Sequence, residues 1–215
     1  MKKLTFITGH YGSGKSEFSV NLVLKKGIKN IVDLDIVNPY FRTRELNNIF
    51  RENSINLVSS TIEDSIGSDL PYIKGEAYSL VHGAEKVIYD LGGDSVGAKI
   101  LRQFVDIIDL QEVDLLLCIN VYREDTSTVS KIIKMINDIE ASGGIKITGL
   151  INNSNFIRDT VYTDLVEAEK IIIQVSKIKE IDILYTGVYE NILDSCGKLL
   201  GEVIPLKLYL RKKWL

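Results

Sequence analysis

Gly9-His10-Tyr11-Gly12-Ser13-Gly14-Lys15-Ser16 fits the pattern G-x-x-x-x-G-K-[ST], and its setting decides the fold. Before it, Leu4-Thr5-Phe6-Ile7-Thr8 reads as a buried strand. After it, residues 15–25 read as a helix. A strand, a glycine-rich turn and a helix N-terminus make an anion site. The first N–H groups of the helix have no intrahelical partner, and the helix dipole favours negative charge beside them. Gly12 and Gly14 let the backbone wrap without a Cβ in the way. Lys15 is then placed to reach β- and γ-phosphates, and the Ser16 hydroxyl to ligate Mg2+.

Outward from this loop, short apolar runs alternate with helical patterns. The expected strands are 4–8, 30–33, 86–90, 114–120, 146–152 and 182–188; the expected helices are 15–25, 42–51, 71–82, 96–108, 126–142 and 161–179. Several strands are apolar on consecutive positions, as strands buried on both faces of a parallel sheet are. Gly143-Gly144 ends one helix, and Asp159-Thr160 supplies an N-cap region for the next. The alternation predicts βαβ units: an α/β, doubly wound, mostly parallel sheet in a three-layer sandwich. No linker, low-complexity tract or repeat divides it, so 1–215 reads as a single nucleotide-binding domain with 205–215 as a C-terminal tail.

In such sheets ligands bind outside the carboxyl ends of the strands. Polar residues fall there in succession: Asp33 and Asp35, then Asp90, then Asn120, then Asn152 and Asn153. Asp90 follows Val87-Ile88-Tyr89 and is placed to hold Mg2+ through water, since Mg2+ takes few protein ligands. Gly92-Gly93 follows, and Gly93 is small enough to bring a backbone N–H to a γ-phosphate. Asp35 is the candidate to orient an attacking water, because phosphoryl transfer is mostly positioning and charge stabilisation. Asp33 is left to support Mg2+ or the loop. The candidate catalytic residues are therefore Lys15 and Asp35. The candidate metal set is Ser16, Asp35 and Asp90, and the nucleotide set is Gly9 to Glu17 (Gly9, His10, Tyr11, Gly12, Ser13, Gly14, Lys15, Ser16, Glu17) with Gly93. The tract 36–45, with Pro39, Arg42 and Arg44, reads either as a first switch or acidic-ligand contact, or as a helix start with surface arginines.

With Gly9–Ser16, Asp33-x-Asp35 and Asp90-x-Gly92-Gly93 in this order, the chain resembles the MinD/ParA-type P-loop ATPases of the SIMIBI class. The resemblance covers roughly residues 2–190. It implies Lys15 on phosphate, Ser16 on Mg2+, Asp35 on water, Asp90 near Mg2+, and Asn152 or Asn153 on the base. It also implies a nucleotide-dependent homodimer. Many members carry a second lysine directly after the first loop glycine, reaching the partner subunit's nucleotide; here that position is His10. A weakened trans-acting group and a loop filler are the two roles open to it. The guanine-reading Asn-Lys-x-Asp pattern is missing from Leu150-Ile151-Asn152-Asn153-Ser154-Asn155. An asparagine amide, one donor group and one acceptor, suits adenine, so ATP is expected over GTP.

Composition narrows the classes. The chain is 45% hydrophobic and 26% charged, as ordinary globular domains are. A net charge of -3 argues against nucleic acid as the main ligand. Cys118 sits in an apolar run and reads as a core thiol; Cys196 is too far from it for a metal-ligand spacing. No segment approaches the about 18 apolar residues that span a bilayer. The tail Pro205–Leu215 is basic and apolar, yet Leu206, Leu208 and Leu210 alternate, which fits an extended segment packed on the domain rather than a membrane helix. A cytoplasmic protein is expected. The reading is a Mg2+-dependent ATP-binding and slowly ATP-hydrolysing switch, with ATP and ADP as ligands and a protein client; the alternative is a small-molecule kinase or ligase on the same loop.

Overall fold

The computed structural model describes residues 1–35, 46–59, 73, 75–93 and 95–210. The tract 36–45, with Arg42 and Arg44, residues 71–72 and 74 of the expected third helix, Asp94 and the end of the tail at 211–215 lie outside the described residues.

Eight strands form one sheet in the order β3-β2-β4-β1-β5-β6-β7-β8, every neighbouring pair parallel. They are β1 (Leu4–Thr8), β2 (Asn30–Leu34), β3 (Asn56–Ser59), β4 (Val87–Leu91), β5 (Val113–Ile119), β6 (Gly149–Asn152), β7 (Ile183–Tyr189) and β8 (Glu202–Leu206). The helices are α1 (Lys15–Lys26), α2 (Asn47–Glu52), α3 (Gly75–Ser79), α4 (Ser95–Val105), α5 (Val129–Gly143), α6 (Tyr162–Lys179) and α7 (Glu190–Leu193). The six expected strands are all present, within a few residues of their expected bounds. Two further strands complete the sheet.

Strand alternation explains why consecutive apolar residues are needed. Leu115, Leu117 and Ile119 of β5 join one core, with Phe6, Tyr89, Phe104 of α4, Ile132 and Ile136 of α5, and Ile172 of α6. Leu116 and Cys118, pointing the other way, join a second core with Ile7, Ile88, and Phe18 and Leu22 of α1. Both sheet faces are covered by helices, which is the expected three-layer sandwich. The Phe6 and Tyr89 rings stack with centroids 4.5 Å apart, and Phe104 meets both edge-on.

The chain reverses its direction of growth at β1, with β4 on one side and β5 on the other. A crevice opens at the carboxyl end of such a strand. Register fills it: Ile7 pairs with Asp90, and Asp90 with Asp33, so carboxylates of β4 and β2 flank the loop leaving β1.

The C-terminal segment is part of this frame. β8 pairs with β7, and Pro205, which cannot donate to a ladder, is tolerated on this edge strand. Beyond it, Asn21 of α1 accepts from Lys207 N–H at 2.9 Å and donates to the Lys207 carbonyl at 3.0 Å, as a neighbouring strand would. One turn earlier, the Glu17 carboxylate accepts the N–H groups of Tyr209 and Leu210. Leu206 and Leu210 are buried in the second core. Among the described residues no helix is long and apolar enough to cross a membrane. Leu206→Ala, which empties a site only 1% exposed between β8 and α1, is expected to lower stability by about 3 kcal/mol in urea unfolding.

Candidate functional site

The phosphate loop joins β1 to α1. Gly14 stands at the N-cap of α1 with φ 81, and no side chain caps the helix. Its first N–H groups are thus left to an outside acceptor. A left-handed φ alone favours glycine here, and a Cβ on Gly14 would also press on Asn153 Nδ2. Gly93, on the loop after β4, packs so closely that a Cβ would overlap the Gly9 carbonyl oxygen. The two loops therefore touch backbone to backbone.

The loop is held by side chains from the ends of β5 and β6. Arg123 Nε donates to the Gly12 carbonyl at 3.0 Å, and Asn153 Nδ2 to the Ser13 carbonyl at 2.7 Å. The Cys118 thiol lies 3.6 Å from the same Ser13 oxygen, and burial pushes it up to about 12, so it stays protonated. The Ser13 N–H is taken by the His10 carbonyl at 3.0 Å, so the N–H groups at the start of α1 are the ones an anion would meet.

Inside, Lys15 is 5% exposed, and its Nζ is 2.8 Å from Asp35 Oδ2. Burial disfavours its charge, but Asp90 and Asp35 more than offset this and hold its pKa above the usual lysine value. Asp90 is fully buried at the end of β4. Burial pushes it up to about 6 against the pull of Lys15 and of hydrogen bonds from Ser16 and Ser19, the latter at 3.3 Å. Asp33 accepts the Asp35 N–H at 3.1 Å and so shapes the turn that carries Asp35.

Two carboxylates thus share one ammonium beside the Ser16 hydroxyl. Such a set suits a hard cation held by few protein oxygens. Among the described residues no three His, Cys, Asp or Glu side chains form an all-protein metal cage. Ser16 and Asp90 fit Mg2+, and the uncapped α1 N-terminus with its glycine loop fits a phosphate chain.

Other expected residues lie elsewhere. Asn152 and Asn153, expected at the base, are 0% and 2% exposed. Asn153 Nδ2 buttresses the loop and Asn152 Oδ1 accepts the Ser154 N–H, while Asn152 Nδ2 and Asn153 Oδ1 are buried without a hydrogen-bond partner among the described residues. The Glu17 carboxylate is committed to the C-terminal segment. Tyr11 is 59% exposed at the loop's tip. His10 places Nε2 3.1 Å from Asp125 Oδ2 and Nδ1 2.9 Å from its neighbour's carbonyl. It lines a cavity of about 480 Å³ with Gly93, Asp125 and residues of α5 including Lys134 and Met135. On the loop's other flank, Gly12, Gly14, Arg123, Asn155, Ile157 and Tyr189 line a small crevice. Sequence reasoning missed Arg123 and Asp125; both follow Asn120 at the end of β5, where the strand-end rule would have led.

Among protein-family models and curated proteins, none matches the chain. Solved structures do. The cell division protein FtsY of Thermotoga maritima is 16% identical with a TM-score of 0.57, over 87% of this chain and 62% of that one. The signal recognition particle receptor FtsY of Elizabethkingia anophelis is 18% identical with a TM-score of 0.53, over 90% and 61%. The fold is that of a P-loop NTPase. At these identities the likeness concerns the fold, and this chain spans about three fifths of the length of those structures.

The buried carboxyl of Asp90 makes a pH prediction. It titrates near 6 when folded and at its ordinary 3.8 when unfolded. Between these values the folded state holds more protons, so stability falls as pH rises through the window. Asp90→Asn removes that cost. Urea unfolding without nucleotide is expected to find the variant more stable than wild type by about 2–3 kcal/mol at pH 7.5, the gain vanishing near pH 4.

Proposed function

We propose that this chain is a Mg2+-dependent ATP-binding and slowly ATP-hydrolysing switch that acts on a protein client in the cytoplasm. The observation that carries the reading is the buried Lys15 ammonium, set between Asp35 and Asp90 at the open N-terminus of α1. An ammonium has three donors. Lys15 can therefore keep Asp35 and still donate to phosphate oxygens. The backbone N–H groups of the loop and of the first turn of α1 would hold the phosphate chain. Ser16 and Asp90 would hold Mg2+, which supplies charge neutralisation at the phosphate oxygens. Asp35, fixed by Asp33 and Lys15, would orient water as an acceptor at the far end of the chain. Gly93 would bring its N–H to the same end.

The adenine preference rests on what lines the nucleoside flank. Guanine presents N–H groups on its Watson–Crick edge that a carboxylate matches. The carboxylate on that flank is Glu17, already bonded to Tyr209 and Leu210. Arg123, Asn155, Ile157 and Tyr189 remain, a set without a carboxylate. The switch reading also draws on the resemblance to MinD/ParA-type ATPases and on the P-loop fold shared with the FtsY structures. His10, at the position where many of those ATPases carry the trans-acting lysine, faces Asp125 of its own chain.

The cavity beside His10 and Gly93 favours a second reading, transfer of phosphate to a small acceptor. Phosphate release from Mg·ATP and Mg·GTP, without any acceptor, separates the two. The switch reading expects slow release, faster with ATP, and a fall of about 100-fold or more in Asp35→Ala with ATP binding retained. Binding without release in wild type would favour the acceptor reading. Unchanged release in Asp35→Ala would remove Asp35 from the chemistry.

A further inference from the structure

We propose that Arg123 is a positioning residue for the nucleotide, fixing the phosphate loop and adding a permanent positive charge on its nucleoside flank. This rests on the nucleotide reading above. The arginine is placed by a turn with little freedom. Asn120, 1% exposed, ends β5; its carbonyl accepts the Arg123 N–H at 3.1 Å and the Thr126 hydroxyl at 2.6 Å. Its amide donates to the Asn155 carbonyl at 3.2 Å and accepts the Tyr122 N–H at 3.0 Å. Thr126, fully buried, closes the turn by donating its N–H to the Arg123 carbonyl at 3.0 Å. Every one of these bonds would be costly to leave unmade in a buried setting.

From this turn the side chain crosses to the loop, and Nε bonds the Gly12 carbonyl at 3.0 Å. A guanidinium carries five N–H donors and stays charged at any working pH. One is used on Gly12, leaving four beside Gly12, Gly14 and Asn155. Among the described residues lining this flank, Arg123 is the cation; Lys131 and Lys134 lie on the other. Lys15 serves the inside of the loop. A phosphate chain running from the Lys15 end to the nucleoside therefore meets a second cation at Arg123, supplied within the same chain. The two functions of the side chain are separable: Nε orients a peptide, and the charge attracts phosphate. Lysine keeps the charge without the Nε bond, and glutamine keeps a donor without the charge.

The test measures Mg·ATP and Mg·ADP affinity by calorimetry for wild type, Arg123→Lys, Arg123→Gln and Lys15→Ala at two salt concentrations, with circular dichroism as a folding check. Arg123→Gln is expected to lose about tenfold or more for both nucleotides while folded, and Arg123→Lys less. The salt dependence of affinity should flatten in Arg123→Gln and persist in Arg123→Lys, a change that a merely structural role would not produce. Wild-type affinity and salt dependence in Arg123→Gln would overturn the assignment while leaving the nucleotide site intact. A wild-type chain that binds neither nucleotide would overturn the nucleotide reading, and this assignment with it.

Discussion

A buried ammonium facing two carboxylates is the constraint on which the rest of the site depends. Lys15 could not be buried charged without acceptors. Asp35 provides one at 2.8 Å, and Asp90 adds field from below. Both acids sit where they do because β4 lies between β1 and β2, with Asp90 in register with Ile7 and Asp33. The strand order is thus a condition of the electrostatics. Burial, with a smaller push from Asp35, holds the pKa of Asp90 high, and a divalent cation would favour its charged form.

The loop above this cluster is held from outside as firmly as from within. Arg123 and Asn153 take successive carbonyls, and Gly93 touches Gly9 through backbone alone. Preorganised N–H groups bind an anion without first having to be ordered, which is where such sites gain affinity. The helix behind the loop is anchored in turn by Glu17 and Asn21 to residues 207–210. Residues 207–210 and the start of the site are therefore one packed unit.

Much of this was legible in the sequence, for physical reasons that also mark its limits. The loop, the six central strands and the carboxylates at Asp35 and Asp90 are local signals: a glycine spacing, apolar runs, polar residues at strand ends. β3 and β8 gave weaker ones. β3 is four residues long and begins with Asn56, and Pro205 speaks against a strand in β8 until its edge position is known. Asn152 and Asn153 stand at the expected strand end, each with one amide atom bonded in the turn and the other without a partner among the described residues. Which way an amide points depends on Ser13 and Ser154, and spacing does not reveal it. Glu17 directly follows the motif, yet its partners are about 190 residues away. No periodicity encodes such a contact.

The central claim is that the loop holds a nucleoside triphosphate through Lys15. Calorimetric titration of wild type and Lys15→Ala with ATP in the presence of Mg2+ tests it most directly. One ATP bound per wild-type chain, with binding abolished in a folded Lys15→Ala variant, is the expected result. Equal binding by the two proteins, or no binding by wild type, would contradict it.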